Sequence, residues 1–145
     1  MNLARVILVA GILASLSAGA VRAAGPPAVK IEKTKLGKVV ADKQGLTLYI
    51  FRADHGTTSS CYGKCATFWP PLIAAGKATA GPGVKASLLG TTKRKDGKLQ
   101  VTYKGHPLYT FVTDKKPGQT TGEGVKLFGA NWYALTPTGV VIDRD

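Results

Sequence analysis

The sequence predicts an all-β domain, a small antiparallel sandwich or barrel built from two pseudo-repeats of about 60 residues. Three observations predict it. From Val29 onward, apolar and β-branched residues recur at short intervals, with turn residues every eight to twelve positions, the spacing of short strands. Helix signals are weak: the best stretches are Ser60 to Phe68 and the alanines after Leu72, and Gly76, Gly81, Pro82 and Gly83 interrupt the second. The phrase Leu-Tyr-x-Phe-x-x-Asp is written twice, at residues 48–54 and 108–114, sixty positions apart.

Taken from the start of the chain, residues 1–23 read as a signal peptide. A nearly unbroken small and apolar run from Val6 to Val21 ends in Val21-Arg22-Ala23, which fits small-residue cleavage, and Gly25-Pro26-Pro27 follows. A transmembrane helix is the rival reading of that run, but it is rich in Ala, Gly and Ser and has a weakly charged front end. The mature chain is expected to be periplasmic or secreted, with no transmembrane span. Residues 24–34 are expected to form an extended lead and 35–145 a single β domain, with repeat 1 over about 38–72 and repeat 2 over about 98–135.

Val39 to Ala41, Asp42-Lys43-Gln44-Gly45 and Leu46 to Phe51 read as strand, turn, strand. Leu88 to Arg94 and Lys98 to Tyr103 flank Asp96-Gly97, where a tight hairpin needs positive φ. Lys104-Gly105 turns the chain into Leu108 to Val112, predicting a three-stranded meander. Trp132 to Thr136, Pro137-Thr138-Gly139 and Val140 to Asp143 supply a last hairpin, while 73–85 and 115–131 read as long loops.

The duplication extends beyond the central phrase. Gly45 and Gly105 share the offset of sixty, and each copy is followed by Trp-x-x-Leu, at Trp69 to Leu72 and Trp132 to Leu135. Strand alternation puts Tyr49 and Phe51 on one face and Leu48 and Ile50 on the other; Tyr109 and Phe111 repeat this against Leu108, Thr110 and Val112. Both faces are then apolar, as in a strand covered on both sides. The aromatics read as core, with the phenol oxygens reaching partners at its edge. Asp54 and Asp114 read as turn formers that bond nearby backbone. Paired by symmetry they could also act as acid and base or bind a cation, although no nucleophile or His-rich metal signature accompanies them. Trp69 and Trp132 fit a buried core, or rings that stack on a ligand.

Cys61 and Cys65 are the only cysteines. In an exported chain a spaced pair favours a disulfide, which here rivets the segment leading to Trp69. The alternative is a metal or redox site, the two thiolates holding copper(I) with His55 or His106 as third ligand. Haem attachment lacks the Cys-x-x-Cys-His spacing.

The full chain has 20 basic and 8 acidic residues. Without Arg5 and Arg22, 18 basic residues face those 8, leaving +10. Such a surplus favours anionic envelope components, such as phospholipid headgroups and polyanionic polymers, or an acidic protein; export argues against nucleic acid. The lysines are scattered, so solubility and guarding of sheet edges explain them as well.

The combination resembles a family of small bacterial exported proteins, many of them lipoproteins, described as secreted repeats with a Tyr-x-aromatic-x-x-Asp motif. The residues that carry the resemblance are Leu48 to Asp54, Cys61 to Ala66 with Trp69-Pro70-Pro71-Leu72, Arg94 to Gly97, Val101 to Tyr109 and Trp132 to Pro137. The resemblance implies an envelope or secreted location and a repeat-built β domain, with no assigned catalytic residue or cofactor. The chain departs from the lipoprotein members in lacking a cysteine for lipid attachment. The functional expectation is an envelope-associated binding or interaction module rather than an enzyme, with a periplasmic copper or redox protein as the alternative.

Overall fold

The computed structural model describes residues 28–144. The expected signal peptide and residues 24–27 of the expected lead lie outside the described residues.

The chain runs β1 (Ala28–Thr34), β2 (Gly37–Asp42), β3 (Tyr49–Phe51), α1 (Lys64–Phe68), β4 (Ile73–Ala74), β5 (Thr79–Ala80), β6 (Leu89–Lys93), β7 (Leu99–Tyr103), β8 (His106–Pro107), β9 (Lys126–Leu127) and β10 (Ala130–Ala134). The strands form several small sheets, ordered β2-β1-β5, β3-β10-β9 and β4-β7-β6 with β8 also on β7. None closes into a barrel, which removes that alternative and leaves the all-β class standing. All pairings are antiparallel except the short parallel contact of β1 with β5.

Strand β1 occupies residues expected to be an extended lead, and pairs along its length with β2, from Val29 opposite Asp42 to Thr34 opposite Gly37. Val29 is fully buried and belongs to the core, so this hairpin is part of the domain. The turn after β2 is built as its residues demand. Asp42 Oδ1 accepts from the backbone N–H groups of Gln44 and Leu46, and Gly45 takes φ +87°. In the β6–β7 hairpin, Gly97 supplies φ +85° between paired Lys93 and Leu99. The expected third strand of that meander is cut short. Leu108 N still donates to Val101 O of β7 at 3.0 Å; residues 109–112 then leave β7 and run between two other segments, Tyr109 bridging to both Tyr49 and Pro71. The two long loops carry the two-residue strands β4, β5 and β9, and the region around Ser60 to Phe68 contains α1.

Strand alternation gives the core two sides. Leu48 and Ile50 join Val29, Val40, Val101, Tyr103, Leu108, Tyr133 and Leu135 on one side. Tyr49 and Phe51 join Trp69, Tyr109, Phe111, Trp132 and the two cysteines on the other. The duplicated phrase is therefore a central strand sandwiched between two apolar clusters.

Candidate functional site

The two copies of the phrase meet at Tyr49 and Tyr109. Each backbone N–H donates to the carbonyl of the other, at 2.8 and 3.0 Å, so a pseudo-twofold axis passes between them. Around this axis equivalent bonds recur. Arg52 N donates to Asn131 O and Val112 N to Phe68 O; Val40 N donates to Leu135 O and Val101 N to Leu72 O. Every one of these bonds joins one copy to the other. The Trp-x-x-Leu segment of each repeat thus pairs with the hairpin of its sister, and the repeats interlock.

The side chains cross over in the same way. Tyr49 O–H donates to Asp114 Oδ2 at 2.6 Å, and Tyr109 O–H donates to Asp54 Oδ2 at 2.8 Å. The other oxygen of each carboxylate closes a loop within its own copy. Asp54 Oδ1 accepts from Ser60 N and Oγ, and Asp114 Oδ1 from Thr121 N and Oγ1. The aspartates bond locally as expected, and they also serve as the partners sought by the phenols. They are each engaged with a tyrosine of the opposite repeat rather than set up as an acid–base pair.

Above this exchange lies a stack of four rings. Phe111 stacks on Trp69 at 3.9 Å, Trp69 on Trp132 at 3.9 Å, and Trp132 on Phe51 at 4.1 Å between centroids. Tyr49 meets Trp69 edge-on at 5.5 Å, and Tyr109 meets Trp132 edge-on at 5.1 Å. Stacked and edge-to-face pairs add roughly 0.5–1.5 kcal/mol each beyond burial. Trp69 and Trp132 are fully buried, so they present no ring face to a ligand here. Their role as ligand-contact rings gives way to core packing, because each indole face is covered by another ring.

The electrostatics follow from burial. Both motif phenols are pushed well above the ordinary tyrosine value, chiefly by desolvation and then by the neighbouring carboxylates. They stay protonated and act as donors. The Asp54 carboxyl is raised, desolvation outweighing its bonds from Ser60 and Tyr109 and the charge of Arg94.

Ser59, Gly122 and Thr121 complete the site without a signal used in the sequence analysis, and Arg94, named there only as a strand end and as part of the family resemblance, joins them. Since Tyr109 donates to Asp54, the Ser59 hydroxyl donates to the Tyr109 oxygen at 2.7 Å. Arg94 is buried; its Nη1 donates to Ser59 Oγ and Gln100 Oε1 and its Nη2 to Cys61 O, while the guanidinium lies over the Tyr62 ring. Gly122 lets the backbone touch the stack, since a Cβ there would sit 2.8 Å from Trp69 Cη2 and 2.9 Å from Tyr49 Cζ. The signal for the loop residues was present: Ser59-Ser60 and Thr120-Thr121 are hydroxyl pairs placed alike after each Asp.

Cys61 and Cys65 form a disulfide with Cα atoms 5.3 Å apart, anchoring α1 below Trp69. The alternative metal set is not assembled. Among the described residues no three or more His, Cys, Asp or Glu side chains come together as a metal-binding group. His55 is exposed in a turn bonded to Thr58, and His106 is half-buried on β8, its imidazole held below the usual histidine value by burial and by Arg52. Both cysteine sulfurs are in the disulfide, so the thiolates that copper(I) would require are absent in this state.

Outside the core, two surface clefts stand out. One of about 400 Å³ is lined by small residues, with Lys77, Leu89 and Leu99. The other, of about 430 Å³, is lined by Ile31, Lys33, Lys38, Pro82, Gly83 and Pro137. Among the described residues no helix is long and apolar enough to cross a membrane.

No curated protein and no solved structure matches the chain. One protein-family model does, described as a secreted repeat of unknown function and named Lipoprotein_15, over residues 30–73 and again over 90–136. These segments contain the two interlocked units around Tyr49 and Tyr109. The chain belongs to this family of secreted repeats and carries two copies of its unit.

Proposed function

We propose that the chain is a non-catalytic exported interaction module that contacts an anionic component of the cell envelope through its basic surface. The observation that carries this reading is how its charge is displayed. Every lysine among the described residues except the half-buried Lys30 is exposed, and Lys30 is the only one with a carboxylate partner among them, Glu32 at 3.0 Å. Lysines at sheet edges also discourage strand pairing between molecules, but that role needs few of them. A surplus of unpaired ammonium groups on a rigid frame attracts polyanions in a salt-dependent way.

The duplicated motif supports the same reading from inside. Its phenols and carboxylates bond to one another and to local backbone, and its tryptophans pack against each other. These groups frame the surface and are not presented on it. The test is retention of purified oxidised protein on envelope fractions at low and high salt. Retention lost at high salt, and weakened when exposed lysines are changed to Gln, is expected. Retention that ignores both salt and lysine number would overturn the reading.

A further inference from the structure

Lys33 of β1 stands directly opposite Lys38 of β2 in the antiparallel ladder. Strand alternation puts both side chains on the face of Ile31 and Val40. Cβ atoms of opposite residues are only about 4.5–5.5 Å apart, and like charges at such positions destabilise the pairing. Neither lysine has a carboxylate partner among the described residues. Both line the cleft of about 430 Å³, whose remaining wall is Ile31, Pro82, Gly83 and Pro137.

Two further lysines flank that wall. The Lys85 backbone N–H donates to the Tyr103 hydroxyl at 3.1 Å, and the same hydroxyl donates to Pro137 O at 2.6 Å. Tyr103 is fully buried, so it pins both sides of the cleft in place. The stem of Lys104 lies against Gly139, where a Cβ would come within 2.8 Å of it. The cleft therefore has an apolar floor, fixed walls and a cationic rim.

We infer that this cleft binds a phosphate-bearing anion, with Lys33 and Lys38 bridging one phosphate group. A phosphate presents several oxygens and can accept from two ammonium groups at once, converting a repulsive pair into a shared site. The proposal rests on the anionic-partner reading above and gives it a location. A phospholipid headgroup and a free or polymeric phosphate offer the same chemistry, and the experiment separates them.

The variant K33T/K38T replaces the pair with a threonine pair that suits an antiparallel strand, so folding is retained. It is compared with wild type and with K98T/K126T, which removes two exposed lysines that do not line the cleft. Each protein is titrated with pyrophosphate and with polyphosphate, following thermal midpoint and calorimetric binding. Each is also mixed with phosphatidylglycerol vesicles and with neutral phosphatidylcholine vesicles. The expected result is a more stable K33T/K38T at low salt that has lost roughly tenfold or more in phosphate affinity, while K98T/K126T binds like wild type.

Binding of the soluble phosphates assigns the source as free or polymeric phosphate; binding of phosphatidylglycerol vesicles alone assigns the headgroup. Either supports the cleft. Equal binding by wild type and K33T/K38T overturns the cleft and leaves the anionic-partner reading intact. If wild type binds no phosphate probe, the cleft also falls; the broader reading falls with it only if salt-sensitive retention on envelope fractions is absent too.

Discussion

Changing Tyr49 to Phe removes one hydroxyl and leaves the ring packing in place, so its cost measures the crossed hydrogen bond. Asp114 is only 4% exposed and holds Tyr49 at 2.6 Å, Thr121 N at 3.0 Å and Thr121 Oγ1 at 2.6 Å. A hydrogen bond to a charged group is worth about 1.5–3 kcal/mol, and water has little access to replace this one. The change also strips Gly122 N of its acceptor, the Tyr49 oxygen at 3.2 Å. Together these predict a loss of about 3 kcal/mol. In urea, with a slope of about 1–2 kcal/mol per molar, the midpoint falls by roughly 1.5–3 M. The equivalent Tyr109→Phe should cost less, about 2 kcal/mol: water reaches half-exposed Asp54 and can replace the phenol there, while the buried Ser59 hydroxyl loses its acceptor at 2.7 Å.

A double-mutant cycle locates the partner. Tyr49→Phe combined with Asp114→Asn should show coupling of about 1.5 kcal/mol or more, whereas Tyr49→Phe with Asp54→Asn should be near additive. Coupling to Asp54 instead, or a Tyr109→Phe penalty equal to that of Tyr49→Phe, would refute the interlocked arrangement and its burial asymmetry.

Four other outcomes follow from the same geometry. Both motif phenols have folded pKa values raised above the ordinary 10.0, so the stability they contribute is fully present below that pH and is lost as the pH rises above it; absorbance titration at 295 nm of wild type against Tyr49→Phe and Tyr109→Phe should assign to each of these two phenols an absorbance step that appears only as the protein unfolds. The raised Asp54 carboxyl means that the folded state holds its proton more tightly, so as pH falls through the carboxylate range wild type should gain stability relative to Asp54→Asn, read from urea midpoints. Replacing both cysteines with Ala should cost about 2 kcal/mol, the chain-entropy value for so short a loop, with the loss checked by calorimetry. Phe128 takes φ +59° beside Gly129 at φ +91° in the two-residue turn between β9 and β10, so Phe128→Asn should raise stability by about 1 kcal/mol; an unchanged or lower melting temperature would count against the turn geometry.

Much of the fold was legible because local chemistry dictates it. Gly45, Gly97 and Gly105 all sit at positive φ in the turns predicted for them, and Leu48 and Ile50 face a different cluster from Tyr49 and Phe51. Strand β1 lies within the segment expected to be an extended lead, because Lys30, Glu32 and Lys33 mask the alternation of a strand whose burial depends on pairing with β2. The third strand of the meander ends early because Tyr109 pairs with Tyr49 and Pro71, far from it in sequence. Arg94 reads in the sequence as the end of a hairpin strand; only its distant acceptors, Ser59 and the Cys61 carbonyl, bring its side chain inside.

From the sequence alone came the β class, the turns, the alternating faces, the cysteine pair and the fact that one unit is written twice. Periodicity and turn chemistry report what each residue needs from its immediate surroundings, so these features require no knowledge of the rest of the chain. Which copy satisfies which was decided by the tertiary structure. Tyr49 has Asp54 close by in sequence and an equivalent Asp114 sixty positions further on. Two like units offer a phenol chemically similar partners at home and abroad, and composition cannot rank them. The antiparallel bridge between Tyr49 and Tyr109 does, by placing each hydroxyl within bonding distance of the opposite carboxylate and each tryptophan against its counterpart.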